Sequence, residues 1–176
     1  MFFKKKLQRK AIESIDNERV VRYVSLTEIS SLIFLFDINE ERILDTIKQL
    51  CSIADSRSIK FSGLALNYNK HPYPDVMLDH RILVVNKTDL NYYGVPRSTV
   101  VDSFTEKESE LYIDFHPQYN FTGDFISRKS RAFFKLGRVN YPDNPYDLTL
   151  ENINEKSSRN YLNSIIHYLS SIKSVQ

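Results

Sequence analysis

The run Leu32-Ile33-Phe34-Leu35-Phe36 restricts the possible folds of this chain more than any other segment. Five consecutive apolar side chains leave an extended strand with no polar face to turn toward water. Such a strand must be covered on both sides, as in a parallel sheet. The strand is expected over Ile29 to Phe36, with Asp37 ending it. Asn39 then has the chemistry of a helix N-cap, and Glu40 and Glu41 fall in the first turn, where the helix dipole favours negative charge. Ile43, Ile47, Leu50, Cys51 and Ala54 recur at helical spacing and give a helix of about four turns with one apolar stripe. Ile59 to Leu66 reads as a second strand, closing a β-α-β unit with a right-handed crossover.

The same alternation continues. Residues 67–80 carry Pro72 and Pro74 and read as a loop, and Arg81 to Asn86 reads as a third strand. Since no helix joins strands two and three, their pairing is open between parallel and antiparallel, and the latter would make the sheet mixed. A turn over Asp89 to Pro96 precedes a short helix, capped by Ser98, whose inner face is Val100, Val101 and Phe104. A fourth strand is expected over Leu111 to Phe115, a helix over Phe121 to Lys129, a fifth strand over Arg131 to Leu136 stopped by Gly137, and a last short strand within Tyr146 to Leu150. Leu162, Ile165, Ile166, Leu169 and Ile172 define a C-terminal amphipathic helix. The expected fold is α/β: a single three-layer domain with an open, mostly parallel sheet of about five strands and helices on both faces. An order such as 2-1-3-4-5 is the default for this pattern.

At 176 residues the chain suits one domain, which buries roughly 70% of its unfolded surface and needs no covalent staple. Charge divides it. Residues 1–24 hold seven Lys or Arg against three Asp or Glu, whereas the remainder holds 17 against 19. Residues 1–24 are therefore read as a basic arm and residues 25–176 as the domain. Such an arm suits non-specific contact with anionic lipid or nucleic acid, or simple solvation. It lacks interleaved aromatic and basic repeats, so no specific nucleic-acid partner and at most weak peripheral membrane contact are expected. Met1 to Lys6 is not followed by the apolar stretch of a signal peptide, and Leu32 to Phe36 is too short to cross a bilayer, so a cytoplasmic location is expected. Cys51, the single cysteine, is expected to be a small buried hydrophobe.

Chemistry is harder to find. The glycines Gly63, Gly94, Gly123 and Gly137 are too dispersed for a phosphate-cradling loop, and the turn at Asp37 to Glu41 is acidic. His71, His80, His116 and His167 show no zinc spacing, and His167 falls on the polar side of the last helix. No cofactor and no metal site are expected. What remains is position, since open α/β sheets bind ligands outside the carboxyl ends of their strands. Those ends carry Asp37, Asn39, Asp114, His116 and Arg138. Asp37, Asp114 and His116 are the catalytic candidates, with Asp114 and His116 as an acid–base pair. Capping or solvating the strand ends is the competing role. Asn39, Asn91, Tyr92 and Arg138 are candidates for ligand contact. Several tyrosines (Tyr73, Tyr92, Tyr93, Tyr119, Tyr141 and Tyr146) fall in loops, where they suit a partner surface, stacking on a ligand, or packing against the sheet edge.

Asp89-Leu90-Asn91-Tyr92-Tyr93-Gly94-Val95-Pro96-Arg97-Ser98, Leu111-Tyr112-Ile113-Asp114-Phe115 and Ser130-Arg131-Ala132-Phe133-Phe134-Lys135-Leu136-Gly137-Arg138, with His167-Tyr168-Leu169, resemble an uncharacterised Bacteroidota family of small α/β proteins, a domain of unknown function. The resemblance covers most of the chain and implies an intracellular α/β protein without assigning an activity. A strand ending in Ile113-Asp114, a short helix, and a strand ending in a glycine turn are also similar to the N-terminal half of heptosyltransferase-type glycosyltransferases. That likeness implies a base role for the acidic residue after the first strand, here Asp37. The function expected is a cytosolic ligand-binding or protein-interaction domain without demonstrable catalysis, with self-association open. The alternatives are a remnant sugar-handling enzyme and peripheral membrane or nucleic-acid contact through the arm.

Overall fold

The elements follow in the order α1 (Phe2–Glu13), β1 (Ser31–Asp37), α2 (Ile43–Ser56), β2 (Lys60–Asn67), β3 (Ile82–Asn86), α3 (Thr99–Thr105), β4 (Leu111–Asp114), α4 (Phe121–Lys129), β5 (Phe134–Gly137), β6 (Leu148–Thr149) and α5 (Ser158–Ser171). A 3-10 turn over Lys87–Asp89 follows β3. They are seen in a computed structural model that describes residues 2–16, 18–74, 78–97, 99–151 and 157–171. The six strands form one sheet in the order β3-β2-β1-β4-β5-β6, and every pairing is parallel.

Two expectations are corrected and one point left open is settled. The sheet has six strands rather than about five, since the last short strand expected within Tyr146 to Leu150 forms as Leu148 and Thr149 and pairs with Leu136 and Gly137. The pairing of strands two and three, left open above, is parallel, and no helix is seen among the described residues that join them. The order is the doubly wound 3-2-1-4-5-6 rather than 2-1-3-4-5. The boundaries of β1, β2 and β4 lie within two residues of those expected, α4 coincides with its expected span, and β5 begins three residues later. The Ser98 cap and Ile172 lie outside the described residues.

Period-two alternation along each strand divides the core into two clusters. Leu32, Phe34 and Phe36 face Ile43 and Ile47 of α2 and Leu162 and Ile165 of α5. Ile33 and Leu35 face Val101 and Phe104 of α3 and Ile126 of α4 on the other side. The sheet is thus the middle of three layers, and Phe34, Leu35 and Phe36 are wholly buried, as an uninterrupted apolar run requires. Cys51 sits inside the first cluster, and burial pushes its thiol up to about 12, which removes thiolate reactivity at neutral pH.

No element was expected before residue 25, yet α1 is a helix of 12 residues. Leu7, Gln8, Ala11 and Ile12 are half-buried along one side, while no residue of α1 is fully buried. Gln8 Nε2 donates to the Tyr93 carbonyl at 2.9 Å. The chain then passes the amino ends of β5 and β6. Arg19 Nη1 donates to the carbonyls of Ala132 and Phe133, 3.1 Å each, and its guanidinium pairs with Asp147. Arg22 stacks 3.8 Å over the Phe133 ring.

Candidate functional site

Asp114 and His116 stand at the carboxyl end of β4, beside β1, where the sheet's connections change direction. The period-two pattern of β4 turns Tyr112 and Asp114 to the α3/α4 side of the sheet, and their neighbours across the β4–β5 ladder are Lys135 and Gly137. Asp114 is 2% exposed and His116 6%. Oδ1 of Asp114 accepts from the His116 backbone N at 2.9 Å and from its Nδ1 at 2.6 Å. Oδ2 accepts from Ser127 Oγ of α4 at 3.0 Å and from Tyr146 OH at 2.7 Å. Four donors fill the four acceptor positions of one carboxylate.

Burial alone would raise the Asp114 carboxyl, but the charge and hydrogen bonds of His116, with the Tyr146 hydroxyl, outweigh it and hold the group below its ordinary value. Burial would likewise lower His116, yet the charge and hydrogen bond of Asp114, helped by Asp37 and Glu40, raise it. The two form a buried imidazolium–carboxylate pair. With both ring nitrogens protonated, Nδ1 donates to Asp114 and Nε2 points to the Tyr68 oxygen at 3.4 Å. Tyr68 OH in turn donates to Asn120 Oδ1 at 2.8 Å. Asn120 is the N-cap of α4, and the same oxygen accepts Gly123 N at 3.0 Å. Gly123 leaves room for the imidazole, since a Cβ there would lie 3.1 Å from two His116 ring atoms.

The network continues inward. Ser127 spends its proton on Asp114, so Tyr112 OH donates to Ser127 Oγ across 2.6 Å. Lys135, 2% exposed, donates Nζ to the Ser127 carbonyl at 2.6 Å. Burial, helped by Arg19 and Arg128, lowers its ammonium to about 7. The unfolded chain therefore holds this proton more tightly than the folded one from about pH 10.4 down to pH 7. Lys135→Met should accordingly stabilise the fold by about 1–2 kcal/mol at pH 7, with the gain vanishing near pH 10. Urea melts at the two pH values check this, and an equal effect at both would contradict it.

Around the pair, Tyr119 and Tyr141 meet edge to face at 5.0 Å between ring centroids, Tyr141 meets Tyr146 at 6.1 Å, and Tyr141 OH donates to Asp124 at 2.9 Å. The space they leave beside His116 is a cavity of about 10 Å³, room for at most one water molecule. With its carboxylate saturated and its imidazole walled in, this pair acts as a brace that ties α4 and the Tyr146 loop to the sheet.

The open space lies on the other side of the strand ends. A cleft of about 550 Å³ runs between Glu40 to Thr46, Pro117, and Ser157 to Arg159, where α2 and α5 both begin. Thr46 Oγ1 and Ser158 Oγ share a buried hydrogen bond of 2.8 Å that joins the two helix starts. Arg138 donates Nη1 to both Glu40 carboxylate oxygens, at 2.8 and 3.0 Å, and to the Phe115 carbonyl at 2.8 Å. Burial raises the Glu40 carboxyl, the Arg138 charge offsets only part of the rise, and the group stays above its ordinary value. Arg42, at the cleft mouth, precedes α2 with φ of 60°, a left-handed conformation that costs a side-chain-bearing residue roughly 1 kcal/mol or more.

Asp37, Asn39 and Arg138 do not line the cleft, although Arg138 holds Glu40, which does, and their roles differ from those expected. Asn39 is not a helix cap. Asp37 Oδ1 accepts from both the backbone N and Nδ2 of Asn39 at 2.9 Å, an Asx turn that delays α2 to Ile43. The Asn39 side-chain oxygen accepts from Asn69 Nδ2, tying the β1 and β2 ends together. Asn91 and Tyr92 fall in the loop after β3: Asn91 Oδ1 accepts from Tyr93 N at 3.1 Å and Val95 N at 2.9 Å, and Tyr92 is exposed. The Gly94 carbonyl of this loop accepts Thr122 Oγ1 at 2.8 Å, so the loop docks on the start of α4. His167 is exposed.

Ser127, Tyr112 and Lys135 escaped the sequence reading, while Glu40 was read only as a first-turn acid and Tyr146 only as one of several loop tyrosines. One signal was available: Tyr112 and Asp114 interrupt β4 at period two, and Lys135 interrupts the neighbouring β5, which places polar groups on one buried face. Among the described residues no group of three or more His, Cys, Asp or Glu side chains could hold a metal ion. No described helix is long and apolar enough to cross a membrane. A family model described as a family of unknown function (DUF6913) matches residues 1–172. No curated protein and no solved structure matches the chain.

Proposed function

The chain belongs to this family of unknown function, and on that premise we propose that it is a cytoplasmic binding domain for a small polar ligand, held in the cleft between the starts of α2 and α5. One observation carries the reading. The cleft of about 550 Å³ opens over the carboxyl ends of β1 and β4, at the switch point of a 3-2-1-4-5-6 sheet, where open α/β sheets take their ligands. Its walls offer carboxylates (Glu41, Asp45), guanidinium groups (Arg42, Arg159) and hydroxyls (Ser157, Ser158), a set suited to a ligand with several hydrogen-bonding groups of either sign. The saturated Asp114 carboxylate favours binding over acid–base catalysis on a sugar, because it has no lone pair left to take a proton from a substrate.

A thermal-shift screen against sugars, nucleotides, amino acids and small organic acids tests the proposal. A ligand present at about 100 times its Kd adds about 2.7 kcal/mol, or roughly 5–10 °C for a domain of this size. The shift should disappear in Glu41→Trp, which fills the cleft from an exposed position. A panel with no shift, or a shift untouched by Glu41→Trp, would refute the assignment.

A further inference from the structure

Apart from the cleft, the molecule exposes the outward side of α1. Leu7, Gln8, Ala11 and Ile12 turn toward the body, and at 100° per residue the opposite side of the helix carries Phe2, Lys6, Arg9, Lys10 and Glu13, with Phe3 and Lys5 at its flanks. Phe2 is 87% exposed and Phe3 67%, the former the most exposed large apolar side chain among the described residues. Arg9 pairs with Glu13 within the helix at 2.7 Å. Lys4, Lys5, Lys6 and Lys10 form no ion pair or side-chain hydrogen bond to any described residue.

We propose that this face docks the protein on an anionic lipid surface, with Phe2 and Phe3 entering the interface and the lysines meeting the headgroups. Two phenyl rings standing in water beside the unpaired ammonium groups of Lys5, Lys6 and Lys10 fit a boundary that is apolar below and negatively charged above. Charge complementarity selects the lipid: the neutral part of a bilayer would accept the rings but leave the lysines without partners. Nucleic acid is the poorer match. It would engage the cations, yet it offers the two phenylalanines only bases that must first be unstacked, and the helix's one arginine is already tied to Glu13.

The geometry also keeps this surface separate from the cleft. α1 rests on the side of the sheet covered by α3 and α4, held by Gln8 and the Tyr93 carbonyl, whereas the cleft lies between α2 and α5. Docking would leave the ligand cleft open to solvent, so the two proposals stand or fall independently.

Co-sedimentation of the full chain with vesicles tests the inference. Phosphatidylcholine vesicles containing about one third phosphatidylserine should retain the protein at low salt and release it at about 0.5 M salt, and pure phosphatidylcholine should retain little. Lys5→Glu with Lys6→Glu should lower the partition coefficient about tenfold or more, and Phe2→Ser with Phe3→Ser should lower it several-fold without abolishing the salt dependence. Neither pair of positions is buried, so the thermal midpoints of both double variants should match the parent, and melting curves confirm that the comparison is between folded proteins. Failure of the parent to bind the anionic vesicles would overturn the proposal. So would binding that ignores both double substitutions, or binding of RNA or DNA through these lysines with no vesicle association.

Discussion

Asp114→Asn should destabilise the protein by about 3–5 kcal/mol between about pH 4 and 6.5, the usual consequence of stripping one partner from a buried ion pair. The substitution replaces an oxygen that accepts two hydrogen bonds with an NH2 group. That group must then face either the Ser127 and Tyr146 hydroxyls or the two His116 donors, so donors meet donors at one end of the amide. It also leaves the His116 imidazolium without a counter-charge in a site that is 6% exposed.

The pH window follows from the two shifts. Asp114 is lowered in the folded state, so its contribution is present above the ordinary aspartate value of about 3.9 and is lost as pH falls through the lower folded value. His116 is raised, so its contribution is complete below the ordinary value of about 6.5 and is lost as pH rises through the higher folded value. The difference between parent and variant should therefore peak in mildly acidic solution and shrink on both sides. Urea denaturation of both proteins from about pH 3 to 9 measures it. A variant within about 1 kcal/mol of the parent at pH 5.5 would mean that the pair is not the brace described above.

Gly137→Ala should cost about 3 kcal/mol, although alanine is ordinarily mild in a strand. A Cβ at residue 137 would lie 2.1 Å from Tyr146 Cδ2 and 2.5 Å from Cγ and Cε2, so it strikes the root of the ring as well as its rim. The ring has to leave, and its hydroxyl then loses the 2.7 Å bond to Asp114. The effect should depend on the ring. In a Tyr146→Ala background, adding Gly137→Ala should cost less than about 1 kcal/mol, because the obstructed atoms are gone. A full penalty in that background would place its origin in the β5 backbone instead.

How much of this could be read from residues alone depends on how local each cause is. Leu32 to Phe36 announced a doubly covered strand because no other arrangement hides five adjacent apolar side chains. Ile43, Ile47 and Leu50 announced α2 because i, i+4 and i+7 share a helix face. Strand order was beyond reach, since every buried parallel strand carries the same apolar pattern whichever neighbour it pairs with. The parallel pairing of β2 and β3 was hidden because the two prolines of the intervening segment read as a loop, and no helix is seen among its described residues. Asn39 misled because the same amide that caps helices also closes Asx turns, and Asp37 decided between them. The α1 helix was missed because its outer face is basic and aromatic where an amphipathic helix would be merely polar.

The site was legible as a set of strand ends and illegible as a set of partners. Asp114 and His116 were found together because they lie two residues apart and meet through a tight local turn. Tyr146, 32 residues away, and Ser127, on another element, supply the remaining donors, and no spacing rule relates them to Asp114. Glu40 looked like a first-turn acid and turned out to be the partner of Arg138, 98 residues on. These contacts decide whether Asp114 is a base or a brace, and they exist only after folding.

A crystal structure of the protein with the compound that gives the largest thermal shift is the most direct test of this division between cleft and brace. The ligand should lie between Glu40 to Thr46 and Ser158, over the ends of β1 and β4, with His116 Nδ1 still 2.6 Å from Asp114. A ligand seated on His116, with Tyr119 and Tyr141 moved aside to admit it, would contradict the account and return the pair to catalysis.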